Sequence, residues 1–179
     1  MYIANEARII KESSHGYDLI PIQDEMLSHR EVELVGEVNG DTVNALIRQL
    51  RYLQRKDPES PVTLYINSPG GSVDSGMALY DVMQAVSCPI RTVCVGLAAS
   101  MAALLFVSGS RRGMLPHSRI MIHDPLIPQT GGSALRLKAI SDDLMETRQI
   151  IAAVIAEHSG KSMEDILAKT ATDSYFRAE

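Results

Sequence analysis

What most limits the folds open to this chain is an alternation that starts near residue 32. Short runs of β-branched and aliphatic residues, Val32–Val35, Val62–Ile66, Ile90–Val95 and Ile120–Ile122, punctuate the sequence. Between them lie segments whose apolar residues recur at helical spacing. Val43, Leu46, Ile47, Leu50 and Leu53 form one such stripe, opened by Asn39-Gly40-Asp41 and closed by Asp57-Pro58. Val73, Met77, Tyr80 and Met83 form a second, opened by Ser72 and closed by Ser87-Cys88-Pro89. Ser100–Ser108 reads as a short, almost wholly apolar buried helix, and Arg111-Arg112-Gly113 as a surface turn. A long amphipathic helix is expected from about 134 to His158, with Leu137, Ile140, Leu144, Ile151, Val154 and Ile155 on its apolar stripe and Gly160 as terminator. Ser162 and Asp165 have the spacing of a capping box for one more helix. Strands alternating with helices predict an α/β fold with parallel pairing.

No linker or internal repeat interrupts residues 31–179, which read as one domain. Residues 1–30 are polar and broken by Ser13-Ser14-His15-Gly16 and Pro21, and read as an irregular arm. With 45% hydrophobic residues, the chain is too aliphatic to be disordered. A net charge of −5 argues against a nucleic-acid binder, and no Trp with only two Phe leaves little for a base-stacking platform. No apolar run approaches the roughly 18 residues of a membrane span, and Met1–Lys11 lacks a signal-peptide core. A cytoplasmic protein is expected. Cys88 and Cys94 have neither the number nor the spacing of a metal site and read as inert core thiols. No metal or cofactor is expected.

In α/β sheets, sites gather where strands end and helices begin. Two such junctions are rich in Gly and Ser. Asn67-Ser68-Pro69-Gly70-Gly71-Ser72 matches neither the dinucleotide fingerprint nor the P-loop. It is either a tight turn or a place where glycine amides point at a carbonyl as an oxyanion hole. Ser100, in Gly96-Leu97-Ala98-Ala99-Ser100-Met101, is either a helix N-cap or a nucleophile. The nucleophile elbow of α/β-hydrolases is absent. Of five histidines, His123 ends a strand, where a general base is well placed. Asp173, taken alone, is an ordinary turn aspartate. Ser100, His123 and Asp173 together supply a nucleophile, a base and a group to hold the base's tautomer.

Three runs carry a specific resemblance: Tyr65-Ile66-Asn67-Ser68-Pro69-Gly70-Gly71, Gly96-Leu97-Ala98-Ala99-Ser100-Met101 and Met121-Ile122-His123-Asp124-Pro125-Leu126. Together, and in this order, they closely resemble the ClpP family of caseinolytic serine peptidases, over about residue 30 to the C-terminus. The resemblance implies a crotonase-like superhelix of repeated β-α units with a protruding handle helix at about 125–158, and residues 1–30 as an axial region. It implies Ser100 as nucleophile, His123 as general base, Asp173 as the triad aspartate, and the amides of Gly71 and Met101 as the oxyanion hole. It further implies a barrel of seven or fourteen copies enclosing a proteolytic chamber. An AAA+ unfoldase, the Clp ATPase, would feed it unfolded polypeptides. No nucleic acid and no membrane are implied as partners.

Several positions depart from the family pattern. Asp124 stands where the family has Gln, putting a carboxylate next to His123 that would favour the imidazolium form if it lay close. Ser174 stands where the family has the Arg that couples the rings. The handle begins Ile127-Pro128-Gln129-Thr130-Gly131-Gly132 in place of the usual Gly-rich run. The family continues past Glu179 with a further helix and strand. These departures suggest a divergent bacterial paralogue. They leave two alternatives beside an active endopeptidase: a weakly active or silent structural subunit working in a mixed barrel with a second ClpP, and a crotonase-type acyl-CoA enzyme.

Overall fold

The computed structural model describes residues 7–14, 16–127 and 130–178. His15 and the handle residues Pro128 and Gln129 lie outside them. The chain begins with a hairpin, β1 (Arg8–Ser13) and β2 (Gly16–Pro21), followed by helix α1 (Ile22–Ser28). The irregular arm expected here is therefore a two-stranded antiparallel sheet and a helix. Its residues are mostly exposed, so no apolar alternation announced it.

The main body is built from successive strand–helix units: β3 (Glu31–Val38), α2 (Gly40–Lys56), β4 (Val62–Gly71), α3 (Val73–Ala85), β5 (Ile90–Ala99) and α4 (Met101–Val107). β6 (Arg111–Met114) and β7 (Arg119–Ile122) follow, then α5 (Ala134–Ser159), α6 (Met163–Thr170) and β8 (Ser174–Arg177). This is the expected α/β succession of repeated β-α units. The capping signals act as read: Asn39 accepts from the amides of Asp41 and Thr42, and Ser162 from that of Asp165. Val43, Leu46, Leu50 and Leu53 all point inward from α2.

The sheet runs β3-β4-β5-β7-β8, with β6 also on β5. β5 divides one edge between two partners: Arg91–Cys94 pair in parallel with Arg111–Met114, and Leu97–Ala99 with Arg119–Met121. Arg111-Arg112-Gly113 is thus a strand and not a surface turn. β8 closes the sheet antiparallel to β7. β4 and β5 run further than their β-rich cores, through register shifts at Ile66/Ser68, so both Gly/Ser-rich junctions are strand ends.

Leu34, Leu50, Leu64, Ile66, Leu79, Leu104 and Leu105 are fully buried between sheet and helices. α4 lies inside, with Met101 to Phe106 all buried. α5 differs along its length. Ile151, Ala152, Val154 and Ile155 are buried, whereas Leu135 is 81% exposed and Met145 and Ile150 are about half exposed. The expected apolar stripe is therefore fully buried only towards its C-terminal end, with Ile140 and Leu144 half-buried and Leu137 exposed.

Candidate active site

Ser100 sits between β5 and α4 with φ 55° and ψ −124°, a left-handed conformation rare for a residue with a side chain. Such a conformation costs about 1–3 kcal/mol and persists only where the surroundings impose it. Here its amide donates to Met121 O of β7 at 2.8 Å, and its carbonyl accepts from Ala103 and Leu104 at the start of α4. Its hydroxyl makes no capping hydrogen bond. Ser100 therefore stands at the N-cap position without capping through its side chain, a strained serine whose hydroxyl makes no hydrogen bond among the described residues.

The β4 end lies directly against this serine. Gly70 has φ +89°, and a Cβ there would fall 2.6 Å from Ala99 O and 2.7 Å from Ser100 Cβ. Only glycine lets the two junctions approach so closely. Buried Ser68 braces the turn, its Oγ accepting from the Gly70 amide at 3.1 Å. Asn67 Oδ1 accepts from the Leu97 amide at 3.3 Å, tying the β4 end to the β5 end. Sequence reading did not single out either side chain's bracing role. Met101 opens α4, so its amide has no acceptor within the helix. Its buried side chain occupies the space left by Gly76 of α3.

A cleft of about 310 Å³ gathers Gly71, Ser100, Met101 and His123, with Pro69, Val73, Met121, Ile122, Pro125, Leu126, Ile151 and Ile155 as mostly apolar walls. Four of the five expected site residues therefore share one cavity. Asp173 does not line it and is exposed. The β7–β8 register nevertheless pairs Ile122 with Ser174. The pairing stops one residue short of His123 and Asp173, and the Asp124 amide goes instead to Thr170 O. Among the described residues no hydrogen bond joins Ser100 to His123 or His123 to Asp173. A larger groove of about 410 Å³ near Met26, Glu31, Glu33, Val35 and Tyr65 holds no nucleophile–base pair. There the Tyr65 hydroxyl donates to Glu31 at 3.3 Å, and burial, with Glu31 beside it, pushes the phenol's pKa up.

Asp124 is engaged through its carboxylate by Arg148. Its Oδ2 accepts from Arg148 Nε at 2.7 Å, and its amide donates to Thr170 O at 2.8 Å. Among the described residues Oδ1 is buried without a partner, an arrangement that ordinarily costs about 1–3 kcal/mol. Arg148 was not legible as a site neighbour, since it lies far along the chain in the middle of α5.

Cys88 and Cys94 are both free and buried, as expected, and burial pushes the Cys94 thiol up. Among the described residues no three His, Cys, Asp or Glu side chains cluster as metal ligands, and no helix is long and apolar enough to cross a membrane.

A family model described as Clp protease matches residues 14–179. The ATP-dependent Clp protease proteolytic subunit of Ligilactobacillus salivarius (strain UCC118) is 39% identical over 173 residues, covering 96% of this chain and 87% of that protein.

Proposed function

The chain belongs to the Clp protease family, and from that membership we propose a serine endopeptidase subunit of an ATP-dependent protease, with Ser100 as its nucleophile. The observation that carries the reading is Ser100 itself. It is held in a left-handed conformation, its hydroxyl takes no part in capping, and it shares one cleft with His123, Gly71 and Met101.

The chemistry follows from these positions. His123 takes the hydroxyl proton as Ser100 Oγ attacks the scissile carbonyl. The carbonyl oxygen becomes an oxyanion, which the amides of Gly71 and Met101 stabilise. His123 returns the proton to the leaving amine, and the acyl-enzyme is released by a water that His123 deprotonates in turn. Asp173, just before β8, is the residue that would hold His123 and stabilise its charged form. The apolar cleft walls favour an apolar substrate side chain beside the scissile bond. ATP enters through a partner: an AAA+ Clp ATPase unfolds proteins and threads them past the axial N-terminal segment of a heptameric or tetradecameric barrel in the cytoplasm. α5 is the handle, and its exposed apolar residues are the surface that a neighbouring copy covers.

A second reading, not favoured by the family or the relative, is compatible with this one. The lone chain is an incomplete site, aligned only on assembly, with further copies of itself or with a second ClpP paralogue. The acyl-CoA reading is not favoured, because family and relative are both proteases.

A serine-directed fluorophosphonate tests the proposal. It labels Ser100 in the wild-type assembly and leaves Ser100→Ala unlabelled. No labelling in any assembly, homomeric or mixed, refutes it. Labelling only after a paralogue is added supports the second reading.

A further inference from the structure

His123 is bracketed by two backbone anchors. On one side Ile122 pairs with Ser174 of β8. On the other the Asp124 amide donates to Thr170 O at 2.8 Å. Both anchors lie on segment 170–174, which also carries Asp173. The base and its aspartate therefore ride on opposite sides of one small closed unit, 122–124 against 170–174.

The unit extends the β5-β7-β8 sheet, and the C-terminus of α6 adds a second hold on it. The last four carbonyls of a helix have no intrahelical partner. Here three of them, on Leu167, Lys169 and Thr170, are taken by groups around the unit: Arg148 Nη2 on Leu167 O at 3.0 Å, Ser174 Oγ on Lys169 O at 2.7 Å, and the Asp124 amide on Thr170 O. Arg148 also donates through Nε to Asp124 Oδ2 at 2.7 Å, so a single guanidinium holds Asp124 and the last turn of α6, next to segment 170–174, together. Its planar, forked donors suit that double contact in a way an ammonium does not. The pair is largely shielded, with the Arg148 side chain 20% exposed and that of Asp124 32%. Asp124 keeps this bond although its other oxygen is buried and, among the described residues, unpartnered.

We propose that Arg148 is a positioning residue for the acid–base pair, acting through Asp124 and the C-terminal carbonyls of α6 to set where His123 and Asp173 stand relative to Ser100. The inference rests on the reading of Ser100, His123 and Asp173 as the reacting set. Arg148 touches neither substrate nor the reacting atoms. Its effect is on geometry, where a displacement near 1 Å costs on the order of 100-fold in rate.

The test measures turnover of a fluorogenic peptide amide with an apolar residue before the scissile bond, in the assembly where the wild-type chain is active. Arg148→Met is expected to lower kcat about 10- to 100-fold, with KM within about twofold because the apolar cleft walls are untouched. Arg148→Lys, which can still reach Asp124, recovers part of the loss. Asp124→Asn keeps the shape of its side chain and weakens only the charged bond. It lowers kcat in the same direction, and the double variant is no worse than Arg148→Met alone, as two partners in one contact require. If Arg148→Met does not assemble, Asp124→Asn and Arg148→Lys decide the matter. Unchanged kcat in the assembled variants overturns the inference, as does a loss that tracks dissociation and that Arg148→Lys does not relieve. Ser100→Ala run in parallel separates the two levels. If it abolishes turnover while the Arg148 and Asp124 variants are neutral, only this inference falls. If Ser100→Ala stays active, or no assembly turns over the peptide, the site reading falls and takes this one with it.

Discussion

Replacing Gly70 by alanine probes the contact on which the site is built. The native φ of +89° is one that residues with a Cβ rarely adopt, at a cost of about 1–3 kcal/mol. The added methyl would stand 2.7 Å from Ser100 Cβ, 2.6 Å from Ala99 O and 3.1 Å from Met101 N. Carbon–carbon contacts are comfortable at about 3.5–4.0 Å, so the two strand ends must separate by roughly 0.8 Å. Forcing a methyl into packed structure adds about 1–3 kcal/mol. The combined loss of about 2–6 kcal/mol, at roughly 2–4 °C per kcal/mol for a chain of this size, lowers Tm by at least about 4 °C. The same displacement parts Ser100 from the β4 amides, so Ser100 phosphonylation slows by about 100-fold. The assay is the second-order labelling rate, with differential scanning calorimetry on the same samples. Gly40→Ala is the control: its φ is not left-handed and the space around it is open. There alanine replaces glycine at a helix start and is neutral or mildly stabilising. Wild-type labelling and Tm in Gly70→Ala would refute the claim that the β4 end is packed against the nucleophile.

Three further expectations rest on other residues. Ser100→Gly removes the hydroxyl and also the left-handed strain, so labelling disappears while Tm holds or rises by a few degrees, the strain of about 1–3 kcal/mol outweighing or matching glycine's entropic penalty of about 0.5–1 kcal/mol; a clear fall in Tm contradicts the strained-serine description. Hydrogen bonds from Ser60, and from the Glu59 amide, lower the Asp57 carboxyl from 3.8 to about 2. A depressed native pKa stabilises above the unfolded value and is lost as pH falls through the native one. Chemical denaturation of Asp57→Asn between pH 5 and 2 is therefore expected to show a shallower loss of stability than wild type, and parallel curves would contradict it. Cys88 and Cys94 are buried, and burial raises the Cys94 thiol further from its reactive form. Neither is expected to react with a thiol probe at neutral pH until the chain is unfolded, which mass spectrometry of alkylated protein checks.

The interior of the fold was legible because its elements bury one face. Val43, Leu46, Leu50 and Leu53 carry a helical period that only α2 can satisfy, and β4 alternates buried and exposed residues along its core. Elements lacking a buried face were misread or passed over. The β1–β2 hairpin, β6 and β8 lie on exposed edges, where backbone pairing and not apolar period holds the strand. Gly/Ser-rich stretches looked like breaks, yet parallel pairing carries β4 to Gly71 and β5 to Ala99 across local shifts in register. At the site, the two Gly/Ser junctions, the strand-end histidine and the family resemblance together pointed to Ser100, His123, Asp173, Gly71 and Met101. That Ser100 takes the N-cap position in a strained conformation, with no side-chain cap, depends on backbone angles no local pattern encodes. The partnership of Asp124 with Arg148 spans 24 positions and two elements, so it exists only once the chain has folded.

The central claim, that Ser100 is the nucleophile, is tested most directly by the site of covalent modification. Intact assembly treated with a fluorophosphonate and digested for peptide mass spectrometry is expected to carry one adduct per labelled subunit, on Ser100. Ser100→Ala should carry none, and His123→Ala should be labelled at least about 100-fold more slowly for want of its general base. An adduct on another serine, or equal labelling of Ser100→Ala and wild type, would contradict the account.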